Sequence, residues 1–169
     1  MFYNVHIHTF KDEDVPRRFL PLGLVRILAT KPGFRIVSKL LNNLNPFSDK
    51  DTFDRYVKFV KTGKKATQET IFLDCAQYYP KETRFVVLPM DMAYMGAGEV
   101  PRPYTKQLDE LAAMARKHSR VIPFIHVDPR RDDYFELFQK YVDQHDFKGV
   151  KIYPPLGYFP YDDRLMPVY

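Results

Sequence analysis

The chain has 169 residues, of which 45% are hydrophobic and 15% aromatic, and it carries a formal charge of +5. This profile predicts one globular domain with its own core and excludes a disordered chain. The cations are scattered, with Lys61, Lys64 and Lys65 the densest group, so no nucleic-acid footprint is indicated.

Cys75 is the single cysteine, which excludes an internal disulfide. No apolar run reaches the ~20 residues of a membrane helix, and no secretory signal pattern opens the chain. A soluble, cytoplasmic chain with no membrane partner is expected.

The first predicted element is a strand, Phe2 to His8. Strand side chains alternate between faces, so His6 and His8 project from one side, about 6.5–7 Å apart along the backbone. Two imidazoles so placed can share a divalent ion. The same alternation also suits an ordinary half-buried strand without a metal.

Residues 10–82 form an excursion too long to lack structure of its own. Helices are expected near Phe34–Asn45, Thr52–Lys61 and Thr67–Gln77, with Pro46, Gly63 and Pro80 as breakers after them. The excursion would cap one end of the sheet or add to a substrate pocket. Cys75 falls in the third helix as a structural thiol.

Further strands are predicted at Arg84 to Met90, Arg120 to Val127 and Gly149 to Tyr153. Their near-continuous apolar runs suit parallel strands covered on both faces. Between them, Tyr104 to His118 and Asp132 to Gln144 show helical apolar stripes. Strand alternating with helix predicts βαβ units and a parallel sheet. His118 and His145 sit at helix ends, where a cationic ring suits the dipole.

Asp91 stands at the end of the second strand as a pocket residue or a loop-starting aspartate. His126 and Asp128 share one face of the third strand if it is regular. His126 is a candidate pocket residue or a satisfied strand-end histidine, and Asp128 is expected in a turn with Pro129. After the fourth strand come Tyr153, Tyr158, Phe159 and Tyr161, read either as an aromatic packing cluster or as part of a binding face. Asp162 or Asp163 then caps a final helical segment containing Leu165 and Val168. No Gly-rich phosphate loop, Gly-x-Ser-x-Gly elbow or Cys-x-x-Cys pair is present, which argues against nucleotide hydrolases, serine hydrolases and zinc ribbons.

Three segments, His6-Ile7-His8, Ile122-Pro123-Phe124-Ile125-His126-Val127-Asp128-Pro129-Arg130 and Gly149-Val150-Lys151-Ile152-Tyr153-Pro154-Pro155-Leu156-Gly157-Tyr158, together resemble the amidohydrolase-related proteins. These are metal-dependent hydrolases and decarboxylases on a distorted (β/α)8 barrel. The resemblance covers the four strand regions and leaves most of 10–82 unmatched. It implies an α/β fold in which residues 1–169 form the N-terminal half, about four βα units, of a TIM barrel with a helical insertion (10–82) after strand 1.

The resemblance further implies a divalent metal, zinc with manganese as the alternative, held by His6 and His8 at the C-terminal mouth. The family often has an acidic residue two positions before the first of these histidines, where this chain has Asn4. Lys151 matches a fourth-strand lysine that either bridges two metals as a carbamate or binds substrate as an amine. On such a barrel His126, Tyr153 and Tyr158 would line the pocket of a small-molecule substrate, because the loops after the strands form the active-site face.

The family's remaining ligands come from the fifth, sixth and eighth strands, and a complete barrel needs about 250 residues. The expectation is therefore a truncated catalytic unit, inactive alone. It would require self-association or a complementary C-terminal polypeptide. The alternative expectation is a non-catalytic half-barrel that serves binding or assembly.

Overall fold

The computed structural model describes residues 1–19 and 61–169. Four strands lie side by side in sequence order: β1 (Tyr3–Ile7), β2 (Arg84–Val87), β3 (Val121–His126) and β4 (Gly149–Lys151). Each runs parallel to the next. Parallel neighbours need a crossover connection, and among the described residues these connections carry α1 (Gln68–Ala76), α2 (Tyr104–Lys117) and α3 (Tyr134–His145). The chain is thus an α/β protein built on a four-stranded parallel sheet, with the four strands and three helices where the periodicity predicts them.

Alternation along the strands sorts the two faces of the sheet. Ile7, Phe85, Val87, Val121, Ile125 and Val127 join Phe72, Leu108, Leu111, Met114, Leu137 and Tyr141 in one core beneath the helices. The intervening positions, His6, His8, Val86, Leu88, Ile122, Phe124, His126 and Lys151, therefore belong to the other face.

The helix ends obey local chemistry. At the start of α1, Thr67 Oγ1 accepts from the Thr70 N–H at 3.1 Å while Thr70 Oγ1 accepts from the Thr67 N–H at 3.4 Å, a reciprocal cap. Arg116 and Lys117 close α2 where positive charge suits the dipole. His118 follows and reaches Glu69 of α1 at 2.7 Å. Asp146 ends α3 in the left-handed region at φ 59°.

The helix expected near Phe34–Asn45 lies outside the described residues, as does that near Thr52–Lys61 apart from Lys61, where residues 61–63 are helical. The helix expected at Thr67–Gln77 is α1, and it packs against α2 in the layer over the core. At the C-terminus Asp162 is the cap, accepting from the Arg164 N–H at 3.1 Å. The segment that follows, Asp163–Val168, is a 3-10 helix. No helix among the described residues is long and apolar enough to cross a membrane.

Pairing of β3 with β4 depends on Gly149. A Cβ there would lie 2.5 Å from the Phe124 ring, well inside contact distance. Gly149→Ala is expected to destabilise the fold by about 1–3 kcal/mol in urea denaturation, the usual range for overpacking. Adding Phe124→Leu should recover part of that loss. An alanine tolerated without change would show that the ring is not packed on Gly149.

Candidate functional site

His6 and His8 meet at the end of β1. Their Nε2 atoms are 3.0 Å apart and the rings stand edge to face at 87°. His8 Nδ1 lies 2.7 Å from the Leu88 carbonyl oxygen. A carbonyl only accepts, so that bond assigns the proton to Nδ1 and leaves the His8 Nε2 lone pair facing His6. His6 Nε2–H then donates to it.

Burial pushes the His8 imidazole down to about 4, the nearby charges of Lys151 and His6 adding to the effect and the Leu88 bond opposing it. The ring is neutral at pH 7, as a metal ligand must be. Two ligands of a tetrahedral zinc shell are about 3.3 Å apart at ordinary Zn–N lengths, so the observed separation fits a shared ion after a small adjustment. His8 also has the partner on its far nitrogen that orients ligating histidines.

Asn4 stabilises this strand, whose register against β2 shifts between Asn4 and Ile7. Its Oδ1 accepts from the His6 N–H at 3.1 Å and its Nδ2 donates to Tyr79 Oη at 3.0 Å. Among the described residues no group of three or more His, Cys, Asp or Glu side chains could hold a metal ion. The histidine pair is thus a two-ligand unit there.

Lys151 ends β4, in register with His126 of β3. It is 7% exposed, and its Nζ has no hydrogen-bond partner among the described residues. The amine sits 4.7 Å from the centroid of the Tyr153 ring, a cation–π contact. Burial lowers it to about 8.

His126 is 1% exposed and both ring nitrogens are engaged. Its Nδ1 accepts from the Asp91 N–H at 3.1 Å, and its Nε2 faces Tyr158 Oη at 3.2 Å. Tyr158 Oη in turn accepts from the Tyr153 N–H at 2.7 Å and donates to the Val127 carbonyl at 2.9 Å. The structure therefore joins His126 and Tyr158 in one internal network and leaves Lys151 and Tyr153 beside it. Burial drives the His126 imidazole down to about 3.

Asp128 makes the expected turn, its Oδ1 accepting from the Arg130 N–H at 3.0 Å. Its carboxylate also takes the Arg130 guanidinium at 2.6 Å, and Asp91 takes Arg131 at 2.5 Å. Neither arginine stands out in the sequence. The only local clue is the Asp128-Pro129-Arg130 spacing, since Asp91 and Arg131 are forty positions apart.

A cleft of about 310 Å³ opens beside the end of β2, lined by Asp14, Asp91, Arg102, Tyr104, Gln107 and Arg131 among others. The two histidines of β1, Lys151 and Tyr153 are not part of its lining. The cleft and the histidine pair are separate features. The exposed rings of Phe159 and Tyr161 stack on each other at 5.1 Å. Cys75 is half-buried at the edge of the core.

Comparisons with protein-family models, with curated proteins and with solved structures find no match. The functional reading therefore stands on the geometry and on the residue pattern.

Two outcomes follow from the His126 network. Tyr158→Phe leaves the His126 Nε2–H and the Tyr153 N–H without an acceptor, and should cost about 2–4 kcal/mol in chemical denaturation; a change under about 0.5 kcal/mol would contradict the network. The second concerns pH. His126 stays neutral in the fold down to about 3 but takes a proton near 6.5 once unfolded. The unfolded chain then binds more protons across that window. Its contribution is complete above pH 6.5 and falls as pH drops toward 3, by about 1.4 kcal/mol per unit. His126→Gln should flatten the pH–stability curve between 6.5 and 4, and an unchanged slope would contradict burial of a neutral ring.

Proposed function

We propose that this chain is the first half of a metal-dependent (β/α)8 hydrolase or decarboxylase acting on a small molecule. The observation that carries this reading is the His6–His8 pair, with Nε2 atoms 3.0 Å apart and the far nitrogen of His8 fixed on the Leu88 carbonyl. The parallel βα order and the strand-end lysine support it. Zinc suits two imidazoles, with manganese as the alternative.

When bound, the ion would supply Lewis acidity for attack on a C–N or C–O bond or for loss of a carboxyl group. The chain's own residues do the rest of the work on this face. His6 and His8 would hold the ion, the Leu88 carbonyl keeping the His8 ring turned toward it. Lys151 would bind the substrate beside Tyr153, and Tyr158 with His126 would hold the strand-end backbone that carries both.

A catalytic zinc normally has three protein ligands and water. The pair supplies two, so the remaining ligands and four strands would come from residues outside 1–169, in the same polypeptide or in one assembled with it. The exposure of β1 favours such assembly: Tyr3 and Val5 are 53% and 67% exposed, and an edge strand of that kind is a template for pairing. The same observation favours a second reading, a half-barrel whose role is assembly alone. The two differ in whether metal binds at the histidines.

Calorimetry with Zn²⁺ is expected to show weak binding by this chain and its loss in His6→Ala/His8→Ala. Equal binding by both proteins would remove the metal reading. The chain alone should show no metal-dependent turnover of amides, lactones or aromatic carboxylic acids. Adding a polypeptide that supplies the missing half should produce activity, and His6→Ala should abolish it. Light scattering should find dimers or larger species at about tens of micromolar; a monomer there would count against the half-barrel.

A further inference from the structure

We infer that Lys151 is the anchor for a carboxylate, and that the ligand of this face is a small organic acid with an apolar or aromatic body. The inference rests on the proposed function only in assigning the ligand to the face that carries His6 and His8.

The first observation is the amine itself. Lys151 is 93% buried, and its Nζ has no hydrogen-bond partner among the described residues. A buried ammonium without a counter-ion is strongly unfavourable, so it is kept only where something compensates it.

The second observation is where the acids have gone. Asp91 and Asp128 leave the ends of β2 and β3, and both are buried. Asp91 is held by Arg131 at 2.5 Å and Asp128 by Arg130 at 2.6 Å. Two positions before the histidine pair stands Asn4, whose amide is occupied by Tyr79 and by the His6 N–H. Burial is the sole influence resolved on the Lys151 amine, so no carboxylate among the described residues offsets its charge. The other titratable neighbours, His8 and His126, are neutral at pH 7. At that pH the amine is still mostly protonated.

The third observation is the chemistry around the amine. The Tyr153 ring lies 4.7 Å from it. Phe124 and Ile122 share its face and are half-buried. One cation among rings and aliphatic side chains matches a monoanion carried on an apolar body, through a charge-assisted bond to the carboxylate. Polyanions are a poorer match, because both arginines nearby are already neutralised.

Benzoate binding to the metal-free full chain at pH 7 tests this. With [13C]lysine labelling, benzoate should shift the Lys151 Cε–Hε signal, and benzamide should bind at least tenfold more weakly. Lys151→Met, close in shape, should weaken benzoate at least tenfold. Acetate, which lacks the ring, should also bind more weakly than benzoate.

No shift at Lys151 in the wild-type chain would overturn the inference whatever the variant's stability. So would equal affinity for benzamide, or full affinity in a folded Lys151→Met chain. Acetate binding as tightly as benzoate would overturn the apolar half of it. Because no metal is present, failure here with intact Zn²⁺ binding at the histidines would remove this inference alone, and the converse would remove the metal reading alone.

Discussion

Parallel pairing in strict sequence order is the constraint from which the rest of this structure follows. A strand that pairs parallel to its predecessor must be reached by a connection that returns along the full strand length. Three successive returns put α1, α2 and α3 in one layer over one face of the sheet. They also put the C-terminal ends of all four strands along one edge. Residues far apart in sequence, such as His8, Asp91, His126 and Lys151, emerge there together. The face opposite α1, α2 and α3 receives every second side chain, and those positions carry the two histidines and the lysine.

Electrostatics at that edge is arranged in closed pairs with one exception. Besides Asp128, Arg130 donates to the Tyr94 carbonyl at 3.0 Å and to the Leu156 carbonyl at 3.0 Å. It thereby ties together the loops that follow β2, β3 and β4. Gly157 lets it approach, since φ is +108° there and a Cβ would lie 3.1 Å from the guanidinium. With Arg131 held on Asp91 as well, both strand-end carboxylates are neutralised within the fold. Lys151 is the charge left over. A strand-end edge of this composition favours anions.

Much of the architecture was legible in the sequence because hydrophobic period is a local property. The runs at Phe85–Leu88, Val121–Ile125 and Gly149–Tyr153 announced buried parallel strands, and the stripe through Leu108, Leu111 and Ala115 announced α2. Pro123 could have misled, since proline is rare inside central strands. Its carbonyl accepts from the Lys148 N–H at 2.8 Å on the β4 side, and β4 begins only at Gly149. The donor it lacks therefore faces a point where no ladder yet exists. The pairing of His6 with His8 was legible for the same local reason, two positions on one strand. What was not legible is long-range choice of partner. Nothing local links His126 to Tyr158, Asp91 to Arg131 or His8 to the Leu88 carbonyl. Those contacts decide which polar groups are satisfied and which, like the Lys151 amine, are left available.

The central claim is that His6 and His8 present their Nε2 atoms to one divalent ion while the Leu88 carbonyl holds the Nδ1 proton of His8. Long-range ¹H–¹⁵N correlation of the imidazoles, recorded before and after Zn²⁺ addition, tests it most directly. The account predicts a neutral, Nδ1-protonated His8 in the free chain at pH 7, and coordination shifts at the Nε2 of both histidines when zinc is added. An Nε2-protonated His8, or imidazole spectra that zinc leaves unchanged, would contradict it.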